Sequence, residues 1–326
     1  MENEILLDIE NLWVNYSTDD GIVKALNGVS LKLKKGETFG LVGETGAGKT
    51  TLAKAIMSLI PSPPGKVIDG KILFRDEDLL QCNRERIREI RGNDISMIFQ
   101  DPMTSLNPVM RVGEQIREVI ETHNPKMSES ELNDKVIKML NLVGISDDRM
   151  NEYPHQFSGG MKQRVIIAIA LACNPLLLIA DEPTTALDVT IQAQVLEMVR
   201  ELKNRLNTSM ILITHDLGVV VQNCDKVAIV YAGEILEVGS LREIFKNPLH
   251  PYTRGLFDSI PSLTKETKRL KPIEGLMPDP TNLPHGCSFW PRCKSATEKC
   301  KTVKPKLLQR EGEHQVKCFL YEEGIK

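Results

Sequence analysis

Apolar and polar positions alternate over residues 5–9, 12–16 and 29–33, a period of two that predicts half-buried antiparallel strands. Asp19-Asp20-Gly21 and Lys35-Gly36 supply the turns between them. The pattern then changes. Residues 38–42 form a largely apolar segment that reads as a buried strand, and residues 51–60 carry helical spacing that Pro61 stops. A Pro/Gly-rich turn over 61–70 leads to a strand at 71–74 and a charged, solvated helix at 84–91. The next buried strand, from Ile95, ends in Phe99-Gln100-Asp101-Pro102, where proline forbids continuation. Residues 112–150 predict amphipathic helices broken near His123-Asn124-Pro125 and near Gly144, the second opened by a Ser128/Glu131 capping box. An apolar helix over 165–173 follows, then buried strands at 176–180 and 210–214 separated by a helix over 191–206. Segments 227–231 and 234–238, joined by Ala232-Gly233, predict a terminal hairpin.

The chain is organised around Gly43-Glu44-Thr45-Gly46-Ala47-Gly48-Lys49-Thr50, which meets every fixed position of the G-x-x-x-x-G-K-[ST] phosphate loop, between a predicted strand and a predicted helix that opens with Thr51. Glycines let consecutive backbone N–H groups curl around an anion, and the helix N-terminus adds its positive dipole end. Lys49 is expected to reach the β- and γ-phosphates of a nucleotide and Thr50 to ligate Mg²⁺. Strand 176–180 delivers Asp181-Glu182 to the carboxyl edge of a sheet, one acid suited to Mg²⁺ and the next to positioning or deprotonating a water. Gln100 and His215 also stand at strand ends, and His215 is a candidate γ-phosphate contact. Tyr16 is the candidate to stack on a purine. Ser158-Gly159-Gly160 opens the apolar helix and makes a second anion-binding candidate, one more than a single nucleotide requires.

Composition adds bounds. The 326 residues are 41% hydrophobic and 26% charged with a net charge of −3, which gives no basic field directed at nucleic acid. Residues 260–326 hold 13 Lys/Arg against 8 Asp/Glu, so the tail differs from the rest. Residues 1–10 lack a signal-peptide pattern and the longest apolar run, 165–173, is too short to span a bilayer, so the expected place is the cytosol or the cytosolic face of a membrane. Reduced cysteines are expected there, with Cys82, Cys173 and Cys224 as small apolar fillers.

In order, the aromatic platform, phosphate loop, Gln loop, Ser-Gly-Gly signature, Asp-Glu strand end, Leu187-Asp188 and His215 resemble an ABC-type ATPase cassette over residues 5 to about 255. That resemblance implies an α/β fold: a RecA-like P-loop core with an N-terminal antiparallel β subdomain and a helical subdomain inserted at about 102–160. It also implies ATP and Mg²⁺ as ligands and a head-to-tail pair of cassettes, which accounts for the surplus anion loop. By the resemblance, Gly43 to Thr51 hold phosphate, Thr50, Gln100 and Asp181 serve Mg²⁺, Glu182 is the general base and His215 holds the γ-phosphate. Ser158, Gly159 and Gly160 would act on the partner's ATP, with Asp188 helping across the interface. Phe157 and Met161 stand where the commonest signature has Leu and Gln.

Gln100-Asp101-Pro102-Met103-Thr104-Ser105-Leu106-Asn107-Pro108, the Phe157 signature, Asn247 to Thr253 and the tail from Pro278 to Cys293 are similar to the D-type ATPases of dipeptide/oligopeptide importers. This resemblance implies two integral membrane permease subunits, a homologous F-type ATPase or a second copy of the chain as partner, and an extracytoplasmic peptide-binding protein. Nickel and glutathione importers share much of the pattern. A nucleic-acid-associated ABC ATPase is disfavoured by the single cassette, without a long coiled coil or a basic block, and a regulator without turnover by the presence of both Glu182 and His215.

Domains are expected at 1–255 for the cassette and 256–326 for an extension with a four-cysteine metal site. Cys287, Cys293, Cys300 and Cys318, spaced C-x5-C-x6-C-x17-C in a Pro- and Lys-rich tail with little apolar content, suggest a metal staple. Four thiolates suit Zn²⁺ or an iron–sulfur cluster, and the spacing matches neither zinc ribbons nor ferredoxins. The importer resemblance points to a 4Fe-4S cluster, with zinc as runner-up.

Overall fold

The computed structural model describes residues 4–100, 105–184, 188–259 and 272–322. Asp101 to Thr104 and Ala186-Leu187, both part of the motifs above, lie outside the described residues. The elements begin with β1 (Ile5–Thr18), β2 (Gly21–Lys34), β3 (Thr38–Val42), α1 (Lys49–Ile56), β4 (Gly65–Phe74), β5 (Glu77–Asp78), α2 (Arg84–Ile90) and β6 (Ile95–Ile98). Next come α3 (Val112–His123), α4 (Glu129–Leu142), α5 (Gly159–Leu171), β7 (Leu177–Asp181), α6 (Val189–Leu206), β8 (Ser209–Thr214) and α7 (Leu217–Asn223). The chain continues through β9 (Lys226–Tyr231), β10 (Glu234–Ser240), α8 (Leu241–Lys246), α9 (Pro251–Asp258), α10 (Glu298–Thr302), β11 (Leu308–Gln309) and β12 (Gln315–Val316). Two compact units result, one of residues 1–7, 33–38 and 74–214, the other of residues 8–32, 39–73 and 215–326.

In the first unit β6, β7 and β8 are parallel, with Ile95 opposite Leu177 and Leu177 opposite Ser209. Every residue of the three strands is buried, as continuous apolar runs require of a sheet covered on both faces. Helix α5 packs against β6, α3 and α6, which is why its sequence is apolar around most of its circumference. Helix α4 opens with the expected box: the Ser128 hydroxyl accepts from Glu131 N–H, and Glu131 accepts from Ser128 N–H at 2.8 Å.

The second unit departs from the sequence pattern in three places. Residues 5–9 and 12–16 belong to one strand, β1, which passes through Asn11 at φ 47° without ending. Strand β4 starts at Gly65, so most of the Pro/Gly segment is strand. Gly70, at φ 107°, is there because a Cβ would lie 2.6 Å from the Asn11 carbonyl oxygen of β1. Helix α1 stops at Ile56, well before Pro61, where Ser58 at φ 50° turns the chain.

Strand β3 runs parallel to β9, pairing Phe39 with Lys226 and Val42 with Ile229. The predicted hairpin forms as β9–β10, with Ala232 and Gly233 both at positive φ, as a tight primed turn needs. The tail then adds β12 antiparallel to β10, Glu237 facing Val316, and β11 beyond it.

Docking of the tail depends on two buried carboxylates of β10. Glu234, 3% exposed, accepts from the Ser288 hydroxyl at 2.6 Å and from Lys317 and Lys304 at 2.9 and 3.4 Å. Glu237, fully buried, accepts from the backbone N–H groups of Leu249 and His250, from the Thr253 hydroxyl and from His314. Burial pushes the Glu237 carboxyl up, but these hydrogen bonds outweigh it and leave the group below its ordinary value of 4.5. A carboxyl depressed in the folded state stabilises above the unfolded value, and that contribution is lost as pH falls below it. Wild-type protein is therefore expected to lose thermal stability steeply below about pH 4.5. Glu237→Gln should be weaker by roughly 2–3 kcal/mol at neutral pH and shallower in acid. Thermal melts at a series of pH values check both; parallel pH profiles for the two proteins would remove Glu237 from this role.

Candidate functional site

In the second unit the phosphate loop leaves the fully buried β3 and enters α1, with Lys49, Thr50 and Thr51 in the first turn. Gly43 is required by close approach: a Cβ there would stand 2.1 Å from the Val230 carbonyl oxygen of β9. Gly46 and Gly48 adopt φ 82° and 102°, conformations that favour glycine. The loop is tied back by Gly233 N–H to the Ala47 carbonyl at 2.9 Å. Lys49, 6% exposed, donates its ammonium to the carbonyls of Gly43 and Glu44 at 2.7 and 3.0 Å. Thr45 and Gly46 are exposed at the tip. Tyr16, near the end of β1, is half-buried, its Cε1 2.8 Å from where a Gly65 Cβ would stand. His215 is exposed immediately after β8, and Asp216 caps α7 by accepting from Gly218 N–H at 2.8 Å.

In the first unit β7 delivers Asp181, 1% exposed, followed by Glu182. Glu182 takes φ 47°, left-handed for a residue with a side chain, and its N–H donates to the Ile213 carbonyl at 2.9 Å. Gln100, exposed two residues after β6 ends, donates Nε2–H to Glu182 Oε2 at 3.2 Å, so two residues 82 apart in the chain meet. Ser158 is exposed and caps α5, its hydroxyl accepting from Met161 N–H at 3.4 Å. Gly159 and Gly160 form the first turn of that helix. A Cβ on Gly160 would come 2.8 Å from Ile191 Cγ2, which gives this glycine a packing reason on α6 besides any phosphate contact. Asp188 likewise has local work, accepting from Ile191 N–H at 3.0 Å as the cap of α6.

Cys287, Cys293, Cys300 and Cys318 line one cavity with Phe289, Trp290, Pro305, Phe319 and Leu320. Burial above all, with a smaller contribution from the neighbouring cysteines, pushes the Cys287 thiol up to about 12 and the Cys318 thiol up to about 11. A bound cation would act in the opposite sense and favour the thiolates. Among the described residues no three His, Cys, Asp or Glu side chains converge on a single ion. The tail is not short of core, contrary to its composition: Cys287, Phe289, Val316 and Phe319 are buried, and Phe289 contacts Tyr231, Tyr252 and His250.

Sequence reasoning missed four residues. Gln163 Nε2–H donates to the Pro183 carbonyl, joining the signature helix to the segment just after Glu182. Around Glu44, Tyr252 accepts from its N–H at 3.1 Å and Arg292 pairs with its carboxylate at 3.0 Å, while Tyr231 stands beside Arg292. The only signal for Arg292 was its place next to Cys293 in the Pro291-Arg292-Cys293 motif.

Comparison with known proteins gives consistent matches. Residues 26–185 match the ABC transporter family and residues 236–300 the oligopeptide/dipeptide transporter C-terminal region. The chain is similar to the dipeptide transport ATP-binding protein DppD of Bacillus subtilis, 50% identical over 322 residues, 98% of this chain and 96% of that protein. It is 48% identical over 303 residues to the oligopeptide transport ATP-binding protein OppD of Salmonella typhimurium, 92% of this chain and 90% of that one. Among solved structures, the ATP-binding cassette MJ0796, a dimer in a post-hydrolysis state bound to ADP and Pi, superposes with TM-score 0.65. That match has 27% identity over 72% of this chain and 99% of the other. The cbiO1 protein of Clostridium perfringens, part of the transporter complex cbiONQ, gives TM-score 0.64 at 30% identity over 75% of this chain and 92% of its own.

Proposed function

We infer the function from one premise: the chain belongs to the family of ABC transporter ATP-binding proteins. It is the ATP-hydrolysing subunit of an importer for dipeptides or oligopeptides. The observation that carries this is the near full-length identity of about one half to ATP-binding proteins of dipeptide and oligopeptide transport, through the C-terminal region that marks such transporters. Among the described residues no helix is long and apolar enough to cross a membrane. The similarity to peptide-transport ATP-binding proteins is what supports integral permease subunits as partners. We place the subunit peripherally, on the cytoplasmic face, beside a homologous F-type ATPase or a second copy of itself. An extracytoplasmic peptide-binding protein would supply cargo. Residues 1–255 form the cassette in this reading, with the helical subdomain at about 102–160, and residues 256–326 the extension.

The mechanism assigns each residue one task. Tyr16 stacks on the adenine. Backbone N–H groups from Gly46 to Thr51 hold the phosphates, and Lys49 exchanges the carbonyls of Gly43 and Glu44 for β- and γ-phosphate oxygens. By the family resemblance Thr50, Asp181 and Gln100 would hold Mg²⁺, which would supply charge neutralisation for those oxygens. Glu182 takes a proton from the attacking water as its oxygen bonds to the γ-phosphorus and the bond to ADP breaks. His215 steadies the γ-phosphate. Ser158, Gly159 and Gly160 close on the partner's ATP, with Asp188 near them; the Ser158 hydroxyl uses a lone pair as a helix cap and keeps its proton to donate.

For the extension we propose a 4Fe-4S cluster on Cys287, Cys293, Cys300 and Cys318. Four thiols lining one apolar-walled cavity support it, and the importer resemblance is what favours a cluster over zinc. The cluster would clamp the tail.

One experiment tests both parts. Purified anaerobically from native membranes, the protein is expected to bring two permease subunits with it, to hydrolyse ATP faster when peptide and binding protein are added, and to be brown. Co-purification with nucleic acid in place of permeases would sink the importer reading, and colourless protein with stoichiometric zinc would replace the cluster.

A further inference from the structure

Glu44 poses a physical problem. It places a carboxylate in the second position of a loop built to receive phosphates, where like charges repel. The answer comes from the C-terminal extension. Arg292 Nη1 donates to both Glu44 carboxylate oxygens at 3.0 Å, and its side chain is only 6% exposed. The guanidinium is held on its other edges by the carbonyls of Glu274 at 3.1 Å and Ile273 at 3.3 Å, and it lies 3.4 Å from the Tyr231 hydroxyl. Arg292 is thus a fixed arm and not a loose surface cation.

A second contact reaches the same residue. Tyr252, fully buried against Tyr231 and Phe289, accepts the Glu44 N–H through its hydroxyl. Across the loop tip, a Cβ on Gly46 would stand 3.1 Å from Met277 Cε, so the extension reaches the loop there too while leaving the tip exposed. Phe289 belongs both to this aromatic cluster and to the wall of the four-cysteine cavity.

We propose that Arg292 is a positioning residue for nucleotide binding: it neutralises and fixes Glu44, so the extension sets the affinity of the phosphate loop for ATP. The proposal rests on the reading of residues 43–50 as an ATP-phosphate loop. An anion site gains affinity when its N–H groups are ordered before the ligand arrives, and an unpaired carboxylate beside it loses affinity by repulsion.

The test is a titration of the full-length chain with a fluorescent ATP analogue, alongside steady-state hydrolysis and a thermal melt. Arg292→Gln is expected to weaken binding and raise KM for ATP roughly tenfold with kcat changed less than about twofold. Arg292→Lys, which keeps the charge, should return to within about threefold of wild type. In a Glu44→Gln background, which has no carboxylate to neutralise, adding Arg292→Gln should cost little more. Wild-type affinity in Arg292→Gln overturns the proposal, as does an Arg292→Gln penalty of the same size with and without Glu44. Should Arg292→Gln fail to melt cooperatively, Arg292→Met, which removes the charge and keeps the apolar length of the side chain, takes its place with and without Glu44→Gln in the same comparison. A wild-type chain that binds no ATP overturns the transport-ATPase reading itself, whereas wild-type binding with an insensitive Arg292 overturns only this inference.

Discussion

Glu182→Gln is expected to bind ATP with near wild-type affinity and to hydrolyse it at least about a hundredfold more slowly. The substitution keeps the shape of the side chain and its place after β7. An amide oxygen at position 182 still accepts from Gln100 Nε2–H, so the contact now seen at 3.2 Å survives. What it removes is the basic oxygen that takes the proton of the attacking water. Backbone strain does not confound the comparison, because Gln and Glu meet the left-handed φ of 47° equally badly. Single-turnover hydrolysis together with equilibrium ATP binding separates the two effects. Hydrolysis at the wild-type rate would exclude Glu182 as the base, and lost ATP binding would make it a structural residue.

Gly43→Ala is the second large effect, and it acts on the fold before it acts on the nucleotide. The added methyl would lie 2.1 Å from the Val230 carbonyl oxygen and 3.3 Å from Ala47 Cβ. Val230 cannot retreat, because β9 is held in parallel register with β3, Val42 facing Ile229. A clash of backbone with backbone has no flexible side chain to absorb it, so a loss of roughly 3–5 kcal/mol or a displaced loop is the expected outcome. Thermal unfolding and ATP titration should both report it. A variant with the melting temperature and ATP affinity of wild type would mean that the loop does not approach β9 this closely.

The parts most legible from sequence were those fixed by local pattern. β6, β7 and β8 were visible as largely apolar runs because strands covered on both faces have no solvent-facing polar side to show. Helix α4 was visible through its capping box, and the β9–β10 turn through Ala232-Gly233. Boundaries were less visible. Gly70 looked like part of a turn because composition cannot tell a glycine that turns the chain from one that admits a neighbouring backbone. The candidate site was legible where its motifs are contiguous and opaque where side chains meet across the chain. The pairing of Glu44 with Arg292 spans 248 residues, and periodicity reports which face is buried without naming its partner. The hairpin pattern likewise gave no sign that Glu234 and Glu237 are buried, because the tail supplies Ser288, Lys317 and His314 to meet them from far along the chain.

The two-residue strand β12 has a consequence for anyone trimming the chain to its conserved-looking core. Val316 and Gln315 cover the outer rail of β10, and Lys317 N–H adds a bond to the Leu236 carbonyl. Cutting after residue 255 would leave that rail of amides and carbonyls open as a template for a neighbouring molecule, next to a Glu234 stripped of Ser288, Lys304 and Lys317 and a Glu237 without His314. A minimal cassette of this protein would therefore tend toward edge-to-edge aggregation, and the short C-terminal strand acts as its selvedge.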